Sequence, residues 1–185
     1  PLRPFVRAVR EPFTIAFATA SSEAALPKAF DLMEKLGVPR GIVSFVLPAG
    51  YTFNLDGSTL YLAVVSLFVA QAAEASIPGF HFGLGQQITM MLTLVITSKG
   101  VAAVPRAALV VLIAALQSFG LPLEGAALVL GVDALLDMAR TSVNVMGNCL
   151  ASVVVARWEG EFDDAKAQAS FGTAAAAAKS ENGAV

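Results

Sequence analysis

The feature that most constrains this chain is the scarcity of charge across its middle. Between residues 41 and 156 only eight residues are charged. They are Asp56, Glu74, Lys99, Arg106, Glu124, Asp133, Asp137 and Arg140. Over the whole 185 residues 56% are hydrophobic and 14% charged, and the mean hydropathy is +0.71, values typical of a membrane protein rather than a soluble one.

Charge and cysteine content exclude several other classes. The formal net charge of −2 provides no basic surface for a nucleic-acid partner. One cysteine and one histidine provide neither an internal disulfide nor a standard structural zinc site. The chain starts at Pro1, and we expect it to be part of a longer protein.

The uncharged stretches are unusual for membrane spans. Residues 41–55, 57–73, 107–123 and 141–156 each approach or fall short of the ~20 residues that cross a bilayer. A plain transmembrane helix would not carry Asn54, Asp56 and Gly57 in its middle. Interrupted helices fit this pattern better.

We therefore predict an all-α membrane protein made of two helical hairpins, one broken helix and one polar final helix. The predicted ranges are a hairpin at about 12–35, a broken helix at about 41–75, a hairpin at about 86–118 and a final helix at about 125–158. Residues 1–161 would form the folded part. The acidic, then alanine-rich, residues 162–185 are predicted to be a disordered tail.

Lysine and arginine predict the orientation of these elements. Basic residues flank the first hairpin and follow the final helix, whereas residues 74–87 and 118–130 contain none. The basic segments should be cytoplasmic. The first hairpin would then enter from inside and the second from outside, which is the inverted repeat of many secondary transporters.

Polar residues in the final helix recur with helical spacing. Asp133, Asp137, Arg140, Asn144 and Asn148 fall within a sector of roughly 80°. Charges at membrane depth are unfavourable in lipid, so this stripe should face a cavity or a protein neighbour. The alternative is a structural ion pair between Asp137 and Arg140.

The break in the predicted broken helix is also polar. Asn54-Leu55-Asp56-Gly57-Ser58 offers a carboxylate, an amide oxygen and free carbonyls beside helix ends, a set suited to a small cation. The alternative is an ordinary Asn-x-Asp-Gly turn.

Four motifs together resemble the glutamate/aspartate transporter family of dicarboxylate/amino acid:cation symporters. They are Ala20-Ser21-Ser22-Glu23 with Leu26-Pro27, Asn54-Leu55-Asp56-Gly57-Ser58, Ser98-Lys99-Gly100 with Val104-Pro105, and Asp137-x-x-Arg140-Thr141-x-x-Asn144-Val145. The likeness runs from about residue 4 to 161. It implies an elevator transport domain in a multi-pass protein of the bacterial inner membrane. It also implies a homotrimer assembled through scaffold helices that lie outside this chain, with coupling ions and no cofactor.

The resemblance also implies roles for individual residues. Arg140 would pair with the substrate's side-chain carboxylate and Asp137 with its amine, while the second hairpin would be the outer gate. The implied substrate-binding residues are Ser21, Ser22, Ser58, Val104, Asp137, Arg140, Thr141 and Asn144. The implied cation-binding residues are Gly50, Thr52, Asn54, Asp56, Ser98, Asn144 and Asn148.

Three departures are similar to the proton-coupled bacterial branch of that family. Asn148 stands where sodium-coupled members usually carry an aspartate, residues 20–23 replace a serine triplet, and Lys99 replaces a neutral residue. Proton coupling needs a group that titrates while access alternates. The candidates are the carboxylates Glu23, Asp56 and Asp137, whose protonated form burial would favour, and the alternative for Glu23 is a solvated charge at the hairpin tip.

The leading hypothesis is symport of L-glutamate or L-aspartate with protons, and sodium is the second choice of coupling ion. A C4-dicarboxylate carrier is the nearest rival, although its substrate has no ammonium for Asp137. An intramembrane aspartyl protease using Asp56 and Asp133 is a distant alternative from another class. The last alternative is a purely structural helix bundle.

Overall fold

The structure, a computed structural model, describes residues 2–100 and 107–171, and every regular element among them is helical. The helices are α1 (Leu2–Ala8), α2 (Arg10–Thr19), α3 (Ser22–Lys35), α4 (Arg40–Phe53), α5 (Asp56–Ser76), α6 (Leu84–Thr97), a 3₁₀ turn (Ser98–Gly100), α7 (Ala107–Ser118), α8 (Glu124–Leu130) and α9 (Asp133–Trp158). A further helix, α10, covers residues 164–171. The predicted all-α class is confirmed over the described residues.

The first predicted hairpin is formed by α2 and α3, which pack against each other. Ala20 turns the chain with a left-handed φ of 49°. Ser21 then caps α3, since its Oγ accepts a hydrogen bond from Ala24 N at 3.3 Å. Lys28 and Glu11 join the two arms with an ion pair of 2.8 Å.

The broken helix consists of α4 and α5, which flank two non-helical residues, Asn54 and Leu55. Together they form the stretch Arg40–Ser76, which among the described residues is the one helix long and apolar enough to cross a membrane. The interruption falls within the predicted Asn-Leu-Asp-Gly segment.

The second hairpin comprises α6, the 3₁₀ turn and α7, and its arms also contact each other. The 3₁₀ turn contacts both α4 and α5, so the end of α6 lies at the break in the broken helix. Residues 101–106, which include the predicted site residue Val104, lie outside the described residues.

The predicted final helix is interrupted, contrary to expectation. The segment begins as α8, ends at Leu130, turns through Gly131 and Val132, and resumes as α9 at Asp133. Val132 N donates to Val129 O at 3.0 Å and Leu135 N to Val132 O at 3.0 Å, which are the short-range bonds of a tight turn. The turn places Asp133 in the first turn of α9, where the helix dipole favours an acidic residue.

Helix α9 contacts α2, α3, α4, α5 and α8 and so lies between two apolar clusters. One cluster joins the first hairpin to α4 and to α9 and includes Met33, Val43, Leu47, Val145 and Cys149. The other joins the second hairpin to α5 and α8 and includes Leu62, Val69, Met90, Leu112 and Leu116. Each hairpin therefore has its own core, and α9 packs along both halves.

The disordered tail predicted from residue 162 is wrong for its first ten residues. Asp163 N donates to Gly37 O at 2.9 Å, and Ser170 Oγ donates to Lys35 O at 2.7 Å. Phe162 and Phe171 pack against the cluster of the first hairpin. The charged composition of this segment suggested disorder, but its two phenylalanines pack against the protein, and residues 162–171 dock beside the end of α3. Residues 172–185 lie outside the described residues.

Candidate functional site

The polar stripe of α9 is buried along its whole length. Asp133, Asp137, Arg140, Asn144 and Asn148 are between 0% and 8% exposed. Their helical spacing puts them on one face, and the contacts described below join that face to α4 and α5. Charged side chains this deeply buried need partners, so their contacts decide what the site can do.

The guanidinium of Arg140 is held mainly by Asp137. Arg140 Nη2 lies 2.7 Å from Asp137 Oδ1, and Arg140 Nε donates to the same oxygen at 2.9 Å. Asp133 lies on the other side, with its Oδ1 3.5 Å from Arg140 Nη1. One buried cation is therefore flanked by two carboxylates.

Tyr61 on α5 completes this group. Its hydroxyl donates to Asp133 Oδ1 at 2.8 Å, and its ring lies under the guanidinium of Arg140, 4.3 Å from the carbon to the ring centroid. Tyr61 was not predicted from the sequence, and Asp133 was predicted as part of the polar stripe but not as a binding residue. The spacing of residues in α5 could have indicated Tyr61, because it lies four residues after Gly57 and therefore on the same face of the helix.

Two atoms of this group have no hydrogen-bond partner. Arg140 Nη1 and Asp133 Oδ2 are both buried and unpaired by hydrogen bonds. Buried polar atoms in folded proteins are nearly always satisfied, so each exception calls for an explanation. Arg140 Nη1 is a charged donor, and a carboxylate is its natural acceptor.

Asn144 joins α9 to the start of α5. Its Oδ1 accepts from Gly57 N at 2.8 Å and from Ser58 N at 3.3 Å, and its Nδ2 donates to Ser58 Oγ at 3.1 Å. It thereby satisfies two of the free N–H groups at a helix N-terminus. The close approach of α5 to α9 requires glycine at position 57, because a Cβ there would overlap the backbone of Arg140.

Two of the predicted cation ligands bind each other. Asn54 Nδ2 donates to Asn148 Oδ1 at 3.0 Å, and that same oxygen lies against Gly50. Asn148 Nδ2 is buried without a partner. Asn144 Oδ1 already accepts two N–H groups and Asn148 Oδ1 accepts one, so of these two oxygens only that of Asn148 keeps a lone pair for a cation in this arrangement. The described residues also contain no cluster of three His, Cys, Asp or Glu side chains.

The structure does not bury all the predicted carboxylates. Glu23 and Asp56 are exposed on this chain, and Thr52 is exposed as well. Glu23 lies in the first turn of α3 and Asp56 is the first residue of α5, so both occupy helix starts rather than packed faces. The exposure of Glu23 agrees with the alternative of a solvated charge at the hairpin tip, the burial considered for Asp56 is not found, and Asp137 alone among the three candidates is buried.

The other predicted residues have separate locations. Ser21 and Ser22 are half-buried at the turn of the first hairpin, where Ser21 Oγ is used to cap α3. Thr141 is buried on α9 beside Arg140. Ser98 is fully buried at the end of α6. The structure thus brings together Ser58, Asp137, Arg140 and Asn144 around the start of α5, and Asn54 with Asn148 beside it.

A cavity of about 240 Å³ lies beside Arg140 between α5 and α9. Its walls are mostly apolar and include Leu60, Val64 and Leu136, with Tyr61 and Arg140 at one side. Asp137, Thr141 and Asn144 do not line it. The predicted substrate groups therefore do not all open into this one cavity.

The aspartyl protease hypothesis requires two converging carboxylates, and the structure separates them. Asp56 Oδ2 lies against Gly147 of α9, whereas Asp133 starts that helix and binds Tyr61. At ~1.5 Å per residue, Asp133 and Gly147 lie about 20 Å apart along the helix. Asp56 and Asp133 cannot share a proton, and the hypothesis is wrong.

A broken helix long and apolar enough to cross a membrane and a buried ion pair beside its break are features found in membrane transport proteins, and comparison with known proteins gives the family of this chain. Residues 1–158 match the sodium:dicarboxylate symporter family, and the chain belongs to that family. The resemblance seen in the four motifs is confirmed. The family consists of transporters, so the chain is part of a membrane protein that is not an enzyme.

Curated relatives are similar over most of this chain. It is 51% identical over 164 residues to the proton/sodium-glutamate symport protein of Bacillus subtilis and 49% identical over 164 residues to the proton/glutamate-aspartate symporter of Escherichia coli. It is 42% identical over 173 residues to the C4-dicarboxylate transport protein of Pseudomonas savastanoi. These alignments cover 89%, 89% and 93% of the chain but only 37%, 36% and 36% of the relatives. The chain therefore spans little more than a third of their length.

Proposed function

We propose that the full-length protein containing this chain carries acidic amino acids, L-glutamate or L-aspartate, across the bacterial inner membrane by symport with protons. Sodium is the second choice of coupling ion. Two relatives that are 51% and 49% identical to this chain are named for proton/sodium-glutamate and proton/glutamate-aspartate symport, and this supports the proposal.

The observation that carries the proposal is the buried pair of Arg140 and Asp137 with one unused donor. Arg140 Nη1 makes no hydrogen bond and has only a longer ion-pair contact of 3.5 Å with Asp133 Oδ1, so a substrate side-chain carboxylate can bind there without displacing Asp137 from Nε and Nη2. The second oxygen of Asp137 is then available to the substrate ammonium. A substrate with both groups would find a partner for each charge.

The remaining substrate roles follow from the same neighbourhood. Thr141 and Asn144 lie one and four residues after Arg140 on α9, and Ser58 is hydrogen-bonded to Asn144. We assign these three residues to the α-carboxylate and amine of the substrate. Ser21, Ser22 and Val104 are assigned to the two hairpin tips that would close over it.

The coupling ion is proposed from the arrangement of the asparagines. Asn148 is a neutral amide whose oxygen already accepts one hydrogen bond from Asn54, so it offers a sodium ion no negative charge and a single lone pair, which supports proton coupling. The candidate proton carriers remain Glu23, Asp56 and Asp137, of which Asp137 is buried and ion-paired with Arg140 and the other two are exposed on this chain. If sodium does bind, Asp56 and the backbone carbonyls near Gly50, Thr52 and Ser98 would have to hold it, since hard cations prefer oxygen ligands.

The architecture is proposed to be an elevator. Two helical hairpins, each with its own apolar cluster, the first packed against α9 and the second against α5, support a unit that moves as a body. We propose that both hairpins are re-entrant and that the unit slides in the bilayer against scaffold helices outside this chain. Those helices would assemble the homotrimer.

A C4-dicarboxylate is the second candidate substrate, and the Pseudomonas savastanoi relative favours it. The two substrates differ in the ammonium group, so competition for uptake separates them. We expect unlabelled L-aspartate to displace labelled L-glutamate and succinate to fail. Displacement by succinate alone would overturn the amino-acid assignment.

Asp137→Asn sharpens this experiment because it removes the charge that recognises the ammonium. Acidic amino-acid binding should weaken by at least tenfold, because a charge-assisted hydrogen bond is worth roughly 1.5–3 kcal/mol. Affinity for succinate should not fall. A variant that loses both substrates equally would instead indicate a structural role for the ion pair.

A further inference from the structure

One pair of hydroxyl groups joins the second hairpin to the broken helix. Thr59 Oγ1 lies 2.8 Å from Ser98 Oγ. Thr59 is in the first turn of α5, and Ser98 begins the 3₁₀ turn that contacts both sides of the break. Ser98 is 0% exposed, so water does not compete for this contact at the hairpin end.

The hydrogen positions at this contact follow from counting protons. Thr59 Oγ1 is also 2.9 Å from Leu55 O, and Ser98 Oγ is 3.0 Å from Val95 O. Each hydroxyl has a single proton. If both protons went to these carbonyls, two oxygens would face each other at 2.8 Å with no hydrogen between them. One proton therefore bridges Thr59 and Ser98, and the other hydroxyl keeps its bond within its own helix.

Neighbouring residues in this turn of α5 serve two different partners. Ser58 is bonded to Asn144 of α9, whereas Thr59 is bonded to Ser98 of the hairpin. Lifting the hairpin from the break must break the Thr59–Ser98 bond, but it leaves the Ser58–Asn144 bond intact. The contact is thus specific to movement of the hairpin.

We propose that Thr59 and Ser98 form a latch that holds the second hairpin over the break and sets the rate at which substrate enters and leaves. This inference rests on the proposed function, in which the site beside the break binds an acidic amino acid. We place the closed latch in both the substrate-free and the substrate-bound closed forms, because Thr59 and Ser98 bond each other rather than Arg140 or Asp137. Because it stabilises both closed forms equally, it controls rates and not affinity.

The test uses the full-length protein with Thr59→Ala, Ser98→Ala and the double variant. Association and dissociation rates of L-aspartate should both rise about 2- to 10-fold in each single variant, the worth of one hydrogen bond, while the Kd of Thr59→Ala stays within twofold. The double variant should be no faster than either single variant, because both remove the same bond. Thr59→Ser keeps the hydroxyl and should restore the rates of the native protein.

Thr93→Ala is the matched control. Its hydroxyl donates to Thr89 O of its own helix at 2.9 Å on an exposed face, so the variant loses a helix bond without touching the break. If L-aspartate binds to and leaves the Thr59 and Ser98 variants at the same rates as it does Thr93→Ala, the latch is overturned. A higher Kd of Thr59→Ala with an unchanged association rate, or additive effects in the double variant, would overturn it too.

Hydrogen exchange separates failure of the latch from failure of the proposed function. In the absence of any substrate, the amides of residues 94–100 should exchange several-fold faster in Thr59→Ala than in Thr93→Ala. Unchanged exchange contradicts the latch whatever the protein transports. Faster exchange in a protein that binds no acidic amino acid would support the latch and contradict the proposed function.

Discussion

The hydroxyl of Tyr61 donates a hydrogen bond of 2.8 Å to Asp133 Oδ1, and this contact ties α5 to the first turn of α9. The same tyrosine supports the guanidinium of Arg140 with its ring. The bond holds Asp133 beside Arg140 Nη1, so Tyr61 fixes where the charged groups of the site stand.

Tyr61→Phe should destabilise the protein because it removes the donor but keeps the ring. The Asp133 carboxylate loses a buried hydrogen bond, and we expect about 1–3 kcal/mol less free energy of unfolding in detergent micelles. Tyr51→Phe is the control, since the Tyr51 hydroxyl is buried with no hydrogen-bond partner and its removal should be neutral or stabilising. Equal effects of the two variants would contradict this role for Tyr61.

Gly57→Ala should separate α5 from α9. The added Cβ would overlap the Arg140 backbone, which cannot rotate away as a side chain could, so we expect a loss of about 1–3 kcal/mol in unfolding free energy and weaker substrate binding. Gly41→Ala at the start of α4 meets no atom within 4 Å and should be neutral or slightly stabilising. Full binding by the Gly57 variant would mean that the close approach is not needed.

Gly37→Ala tests the docking of residues 161–171. Gly37 has a φ of +88°, and a Cβ there would overlap the Asp163 backbone. Gly79 has a φ of +80° with nothing within 4 Å, so Gly79→Ala suffers only the left-handed strain of about 1–2 kcal/mol. Limited proteolysis after residue 160 should speed up in the Gly37 variant alone. Equal cleavage in both variants would contradict the docking.

Acid should loosen the same segment. The backbone N–H of Lys166 donates to Asp163 Oδ1 at 3.0 Å and lowers the pKa of Asp163 below its usual 3.8. A lowered pKa in the folded state means that the carboxylate stabilises docking above the unfolded pKa and loses this effect as the pH falls through the folded value. Proteolysis of the segment should therefore increase below about pH 4, the unperturbed range of an aspartate. Asp163→Asn should abolish that dependence, and a persistent dependence would implicate another group.

The parts of this protein that local pattern determines could be predicted from the sequence. The helix break follows from Asn54 to Gly57, and the buried stripe follows from the 3.6-residue period of α9. The Tyr61–Asp133 and Thr59–Ser98 contacts could not be predicted, because they depend on the register between helices far apart in sequence.

The wrong predictions have local causes. Asp56 lies between two apolar stretches, but it is at a helix start with its side chain exposed. The interruption at Gly131 was hidden because the apolar pattern continues across it. The docking of residues 162–171 depends on Phe162 and Phe171, which are too few to mark a packed segment by composition.

The most direct test of the central claim is uptake of labelled L-aspartate into proteoliposomes that contain the full-length protein. A pH gradient without sodium is compared with a sodium gradient at uniform pH, with Arg140→Ala as the variant that lacks the substrate's cationic partner. We predict accumulation driven by the pH gradient alone and none in Arg140→Ala. Uptake that requires sodium would contradict proton coupling and the interpretation of Asn148 as its mark. Undiminished uptake by Arg140→Ala would contradict the substrate site proposed at Arg140.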